Sequence, residues 1–431
     1  MNIAIVGFDT EGKATYEFLS AQGHELTICD QKTDLVLPEN TTSQLGEGYL
    51  DDLDRFDRIV RTAGLHPAKI LEKNPDVLDK ITSHINLFFE NTPTKNIIGI
   101  TGTKGKGTTS TLVAKILEAS GKDVKLGGNI GVPPLTFLDR LTDQSWVVLE
   151  LSSFQLIDLR ESPHIAAVLM IVPEHLNWHE DMEEYIAAKQ QLFIHQSPDD
   201  IAIYFDGNED SLSVADASEG QLIPYFSEPG AVIQDNVIQI DDNTICHMDE
   251  LKLLGAHNLQ NVCAAVTTTW QVTHDTKAMK QVLTSFTGLP HRLEFVRELD
   301  GIKYYDDSFG TTPETAIVAI ESFEQPKVVI LGGSDKGASF EALADSVIKH
   351  AVRAVIYIGA TGPAIADILR KKGYTNLHEG GSTMDSIVTA ARNVAQPGDV
   401  ILLSTGCASF GLFNDYKDRG NQFIEAVKQL N

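Results

Sequence analysis

Short apolar runs alternate with amphipathic stretches from one end of this chain to the other. "NIAIVGF" is followed by the helical pattern "GKATYEFLSAQG" and then by "ELTICD"; further on come "NIIGI", "SWVVLEL", "IAAVLMIV" and "IAIYF", and later "GIKYYDDS", "PKVVILGGS", "RAVIYIG" and "DVILLS". Runs this short, rich in Val and Ile and bounded by turn residues, predict strands buried on both faces. The 3.6-residue periodicity between them predicts crossover helices, and together these make an α/β protein with mainly parallel sheets. Pro93 and its polar neighbours interrupt the pattern at "ENTPTKN", and Gly288 and Pro290 interrupt it at "SFTGLPHRLEFV". Three domains follow: 1–92, 93–288 and 289–431. Open parallel sheets bind ligands beyond the carboxyl ends of their strands, so function is sought in the residues just after each run.

Composition narrows the partners. A chain of 431 residues with 42% apolar and 22% charged content is long enough for two or three domains with cores of their own. Its net charge of −26 opposes a nucleic-acid partner, which needs a basic stripe, but does not oppose a nucleotide held by one local loop. Cys29, Cys246, Cys263 and Cys407 are far apart and form no C-x-x-C pair, so neither a disulfide framework nor a thiolate zinc site is expected. The first residues carry no basic segment before an apolar one, and no apolar run approaches the ~20 residues that span a bilayer. A monomeric cytoplasmic protein with no membrane partner is expected.

"GITGTKGKGTTSTL" (99–112) carries the chemistry. It lies between a β-branched strand and the helical pattern "TSTLVAKILEASG", the context in which backbone N–H groups at a helix start cradle phosphate. Gly102, Thr103, Lys104, Gly105, Lys106, Gly107 and Thr108 are the candidate ATP contacts, with Lys106 reaching the outer phosphate oxygens. The plainer alternative is a tight glycine turn. Two positions depart from the usual G-x-x-x-x-G-K-[ST]: Ile100 replaces the first glycine, and Gly107 replaces the hydroxyl that normally holds Mg²⁺. Thr108 follows at once and offers a hydroxyl shifted by one residue. Glu150 ends an apolar strand, where a carboxylate is costly to bury, and His175 follows the next strand; both are candidate metal ligands, with a core acid and a capping histidine as their plain readings. His175 and His179 are four apart, but no third ligand clusters with them in sequence, so zinc is not indicated. Asn258 and Asn261, three apart at a helix start, are either ligand contacts or caps.

With "GGNIG", "ELSSFQL", "PEHLNWH", "YIAAKQQLF", "GAHNLQN", "HRLE", "DDS", "LGGSDKG" and "LLSTGCASFGLF", the loop "TGTKGKGTT" resembles the Mur ligase family, which adds amino acids to UDP-N-acetylmuramoyl precursors of peptidoglycan. The motifs run in the family's order over nearly the whole chain, and "ELSSFQL" and "CASF" are most like the branch that adds glutamate to UDP-N-acetylmuramoyl-L-alanine. The resemblance implies an N-terminal Rossmann-like domain for the UDP substrate, a central P-loop ATPase domain and a C-terminal Rossmann-like domain for the amino acid. It implies ATP, two Mg²⁺ ions and an acyl-phosphate intermediate. Carried over by position, Lys106 holds the transferring phosphate, and Glu150 and His175 ligate Mg²⁺. Lys189 matches a lysine carrying a CO₂-derived carbamate, though read bare it is a lysine on a helix surface. Asn261, Arg292 and Asp307 grip ADP; Thr10, Gly64 and Asn129 meet the UDP-linked substrate; Thr311, Lys336, Ser409 and Tyr416 meet the glutamate.

Departures keep alternatives open. Gly107 is shared with folylpolyglutamate synthase, a related ligase, although the ~90-residue α/β unit ahead of the loop is what a UDP-sugar needs. "DDSFGTTPE" (306–314) has Phe309 where the D-glutamate enzymes have the lysine of D-S-K-A-T-N, and Tyr416 stands where they have phenylalanine. A branch that adds L-glutamate also carries a D-S-x-x-T-T-P stretch, so the stereochemistry is open. A nucleotide-binding protein without turnover is the remaining alternative.

Overall fold

The computed structural model describes residues 1–253, 255, 257–334 and 337–430. The chain forms two compact units, 1–251 with 256–286, and 252–255 with 287–431.

The first unit holds two parallel sheets. The N-terminal sheet has five strands in the order Thr42–Leu45, Glu25–Asp30, Asn2–Val6, Arg58–Arg61 and Ile81–Ser83. Its first crossover helix, Thr10–Ala21, starts where the Asp9 carboxylate accepts from the Thr10 N–H, satisfying one of the donors that a helix start leaves orphaned. The next sheet has six strands in the order Gln221–Tyr225, Ile201–Phe205, Ile165–Val168, Ile97–Thr101, Trp146–Glu150 and Val124–Gly128, all parallel. Every residue of Ile97–Thr101 is buried, as expected for a central strand covered by helices on both faces. Its isoleucines each stabilise the fold by about 1.5–3 kcal/mol through burial. The run 165–172, expected to be strand throughout, stops at Val168. Beyond it the Thr103 N–H bonds to the Met170 carbonyl, so the chain follows the glycine loop instead of the sheet.

One antiparallel element was not anticipated. Val232–Gln234, Val237–Ile240 and Asn243–His247 form a three-stranded meander. Its two reversals fall at Asp235-Asn236 and Asp241-Asp242, all four residues at positive φ, where short polar side chains tolerate the left-handed conformation.

Arg61 joins the two sheets of this unit. Its side chain is fully buried, and its Nε and Nη2 donate to both carboxylate oxygens of Asp158 at 2.6 Å. Its remaining N–H groups donate to the carbonyls of Thr62, Leu65 and Phe154. Around it Gln155 donates to Glu11, and Asn86 donates to the Asp158 carbonyl. Ile3, Leu19, Val60 and Phe88 share a single apolar core with Phe137, Val147 and Leu149, so the two sheets bury each other's flanks.

The second unit carries a six-stranded sheet in the order Glu294–Leu299, Ile302–Asp306, Val400–Leu403, Lys327–Leu331, Val352–Tyr357 and Leu377–Glu379. Its first strand is antiparallel and the others are parallel. Apolar clusters cover both faces, one around Val329, Leu343 and Leu369, the other around Ile330, Ile387 and Phe423. Among the described residues no helix is long and apolar enough to cross a membrane.

The Arg61–Asp158 pair is asymmetric, because Asp158 keeps 19% side-chain exposure while Arg61 keeps none. Asp158→Ala strands a buried guanidinium and is expected to lower the stability of the first unit by about 3 kcal/mol. Arg61→Met leaves a carboxylate that water can reach and should cost clearly less. Urea unfolding of the full chain, followed through its first transition, measures both; equal losses would refute the asymmetry.

Candidate active site

The site grows from the carboxyl end of Ile97–Thr101. Gly102 adopts φ 140° and Gly105 φ 88°, and the helix Lys106–Ala119 starts at once. A β-carbon on Gly105 would lie 2.1 Å from the Asn261 amide oxygen, and one on Gly102 would lie 2.7 Å from the Leu169 side chain. Glycine is therefore required at both places, by conformation and by close approach. Asn261 lies within the helix His257–Trp270 and donates to the Asn258 side chain at 2.9 Å. Both asparagines sit inside the helix, so neither is its cap.

Two lysines converge on this loop. Lys106 Nζ donates to the Gly102 carbonyl at 2.8 Å and to the Thr103 carbonyl at 3.0 Å. Lys189, in the helix Met182–Gln190, donates to the same Gly102 carbonyl at 3.2 Å and to Thr101 Oγ1 at 3.4 Å. Its ammonium sits over the Tyr185 ring, 4.5 Å from the centroid. Lys189 is 1% exposed, not the surface lysine that a bare reading of the sequence favoured. Burial first, and the nearby Lys106 charge second, push its pKa well below the ordinary lysine value, while Glu174 opposes the shift.

Glu150 pairs in register with Ile100, one strand over from the loop, and is 5% exposed. Asn129 donates its side-chain N–H to Glu150 Oε1 at 2.8 Å, which ties a predicted substrate residue to a predicted metal ligand. His175 stands at φ 61°, beside the Phe154 ring at 4.7 Å. Desolvation lowers its pKa, Glu174 opposes this, and Lys106, Lys189 and Lys104 add to the lowering. Glu174, which sequence reasoning passed over inside "PEHLNWH", also pairs with Lys104. His179 is committed elsewhere: its Nε2 pairs with Ser153 Oγ at 2.9 Å and its Nδ1 with Glu184 at 3.3 Å, so it is not a partner of His175 in a metal site.

Thr108 and Thr109 divide the hydroxyl question between them. Thr109 Oγ1 reaches Asn261 Oδ1 at 3.5 Å, while the Thr108 hydroxyl bonds to nothing among the described residues. A buried carboxylate and a hydroxyl beside the glycine loop are hard oxygen donors of the kind Mg²⁺ takes, and the start of the helix Lys106–Ala119 turns backbone N–H groups toward the loop, as a nucleotide's phosphates require. The residues present therefore fit both groups.

Thr10 begins the first helix of the N-terminal sheet, and Gly64 lies beyond the strand Arg58–Arg61. The Gly64 carbonyl accepts from Trp178 Nε1 at 3.2 Å, which binds the N-terminal sheet to the segment carrying His175. The second unit holds Arg292, Asp307, Thr311, Ser409 and Tyr416. Asp307 is buried and accepts from Ser404 Oγ at 2.7 Å and from the Leu293 N–H at 3.2 Å. Burial raises its pKa to about 7 against those hydrogen bonds and Arg292. Tyr416 opens the helix Tyr416–Gln429, and its ring meets Phe309 edge-on at 5.2 Å. Thr311 precedes the helix Pro313–Glu321, and Ser409 is buried after the strand Val400–Leu403. Lys336 lies outside the described residues.

Comparison with known proteins places this geometry in a lineage. Residues 100–269 match the Mur ligase middle domain, and residues 291–407 match the Mur ligase glutamate ligase domain. The chain is 34% identical over 449 aligned positions to the UDP-N-acetylmuramoylalanine–D-glutamate ligase of Clostridium tetani, covering 99% of this chain and 96% of that one. It is 36% identical to the like-named ligase of Symbiobacterium thermophilum, covering 99% and 98%. Among solved structures, the UDP-N-acetylmuramate-alanine ligase of Thermotoga maritima superposes with TM-score 0.61 at 15% identity, covering 99% of both chains. The MurF ligase of Thermotoga maritima in complex with ADP gives 0.58 at 16%, covering 99% of this chain and 94% of that one. These last two likenesses speak for the three-domain α/β fold. On its matched domains and its near full-length relatives, the chain belongs to the Mur ligase family.

Proposed function

We propose that this chain joins glutamate, D-glutamate by preference, to UDP-N-acetylmuramoyl-L-alanine with ATP, in the cytoplasm and as a monomer. The names of its near full-length relatives support the substrates. The observation that carries the chemistry is the meeting of Lys106 and Lys189 on the Gly102 carbonyl. In this reading 1–92 takes the UDP moiety, 93–288 takes ATP and 289–431 takes the amino acid.

The reaction needs a carboxylate made into an acylating agent. The substrate carboxylate takes the terminal phosphoryl group of ATP as the bond to ADP breaks. The glutamate amine then attacks the acyl carbon, phosphate leaves and the ammonium proton is lost. The loop N–H groups of Gly102–Thr108 and the Lys106 ammonium offset charge gathered on the transferring phosphate. Asn261, Arg292 and Asp307 hold the nucleotide. Asp307, with a pKa of about 7, repels a phosphate less than an ordinary carboxylate does. Thr10, Gly64 and Asn129 orient the UDP-linked substrate, and Thr311, Lys336, Ser409 and Tyr416 orient glutamate. Glu150, His175 and Thr108, supported by Lys189, would hold Mg²⁺, two ions by the family pattern, which supply charge neutralisation between two anionic substrates.

Lys189 is suited to carry a carbamate. A second ammonium beside Lys106 in a dry site is unfavourable, and burial adds to the effect, so the shift is toward the neutral amine, the form that reacts with CO₂. The amine nitrogen bonds the carbon of CO₂ and releases one proton. The product is an anion that Lys106 attracts.

Four outcomes are expected. Bicarbonate-depleted enzyme should lose most of its phosphate release and regain it when bicarbonate is added. Protein equilibrated with ¹³C-bicarbonate should show a carbamate resonance that Lys189→Met lacks; a resonance that survives in Lys189→Met, or its absence from both proteins, refutes the modification. Thr108→Ala should raise the Mg²⁺ concentration for half-maximal rate about tenfold or more, the scale on which a lost ligand or its support acts, with Thr109→Ala changing it far less; an unchanged Mg²⁺ dependence sinks the shifted-hydroxyl reading. Phosphate release measured in parallel with the two glutamate enantiomers should appear with D-glutamate. Turnover with L-glutamate alone would make "DDSFGTTPE" the signature of the other stereochemistry.

A further inference from the structure

Arg292 is held in an unusual way. The residues on either side of it, His291 at φ 62° and Leu293 at φ 46°, are both left-handed, a conformation that costs a non-glycine residue of order 1 kcal/mol or more. Consecutive carboxylates pin them. Asp306 Oδ2 takes His291 Nδ1 at 2.7 Å, and Asp307 Oδ1 accepts from the Leu293 N–H at 3.2 Å. The His291 N–H donates to Glu294 at 2.8 Å, and its carbonyl accepts from the Phe309 N–H at 2.9 Å. Gly420 lets the last helix press against this turn, since a β-carbon there would sit 2.2 Å from His291 Nδ1. "HRL" and "DDSF" thus form one clasp.

The Arg292 side chain leaves the clasp and lies over the Phe309 ring, 4.6 Å from its centroid. It enters no ion pair among the described residues, so its N–H groups are not spent on a carboxylate. Phe309 is itself 44% exposed and is braced edge-on by Tyr416 at 5.2 Å.

We propose that Phe309 is a positioning residue whose ring holds Arg292 ready for nucleotide phosphate. A guanidinium stacked on a ring keeps its fork of N–H donors in the ring-parallel plane and loses less freedom when it meets an oxyanion. This rests on the reading of Arg292 as a nucleotide contact.

The test is ADP binding to the full-length protein in the presence of Mg²⁺, by calorimetry, for wild type, Phe309→Leu, Phe309→Tyr, Arg292→Ala and the double variant Phe309→Leu/Arg292→Ala. Phe309→Leu is expected to weaken ADP about three- to tenfold, the range that cation–π contacts span, and Phe309→Tyr to restore wild-type affinity. In the Arg292→Ala background Phe309→Leu should change nothing further, with thermal midpoints serving as the check on folding. Wild-type ADP affinity in Phe309→Leu overturns the proposal, as does a loss of the same size in both backgrounds. An Arg292→Ala protein that binds ADP as wild type does would instead remove Arg292 from the nucleotide site, and the platform would fall with it.

Discussion

Two amines compete for one carbonyl oxygen at the glycine loop of the first unit, and much else follows from that crowding. Lys106 and Lys189 both reach the Gly102 oxygen, one from the helix after the loop and the other from a helix further along the chain, 83 positions away. Two full positive charges a few ångströms apart, with one of them sealed from water, would repel by several kcal/mol at the effective dielectric of a protein interior. Burial and the neighbouring Lys106 charge push the pKa of the sealed amine down, which favours its neutral form. The Glu174 carboxylate and the Tyr185 ring lie close to the sealed amine.

The parallel α/β plan was legible because its signals are local. Val- and Ile-rich runs such as "NIIGI" and "DVILLS" are buried on both faces and cannot be mistaken for exposed strands. The meander at 232–247 was missed although its "DN" and "DD" reversals flank alternating apolar residues; the eye set on βα alternation read past a period of two. The weld between the two sheets of the first unit was beyond sequence altogether. Arg61 and Asp158 are 97 positions apart, and nothing in either neighbourhood says that one buries the other.

The site divides in the same way. Gly105, Lys106 and Thr108 announce themselves by spacing, and Glu150 by being a charge in an apolar run. Lys189 does not: its helix has ordinary polar composition, and only packing against Thr101 and Tyr185 shows it to be enclosed. Glu174 was hidden by a more conspicuous neighbour, His175. The clasp around Arg292 needed the antiparallel pairing of Glu294–Leu299 with Ile302–Asp306, which sets Glu294 opposite Asp306 and so brings "HRL" onto "DDSF".

The space left by the absent β-carbon of Gly105 is filled by the amide oxygen of Asn261. A loop that looks self-contained in sequence is therefore half of a joint whose other half lies 156 positions away, in a helix that also sits against the hydroxyl of Thr109. As the sequence drifts, these two positions are not free to change one at a time. Any side chain gained at 105 must displace the asparagine, and a bulkier residue at 261 must unseat the turn that gives the helix its start.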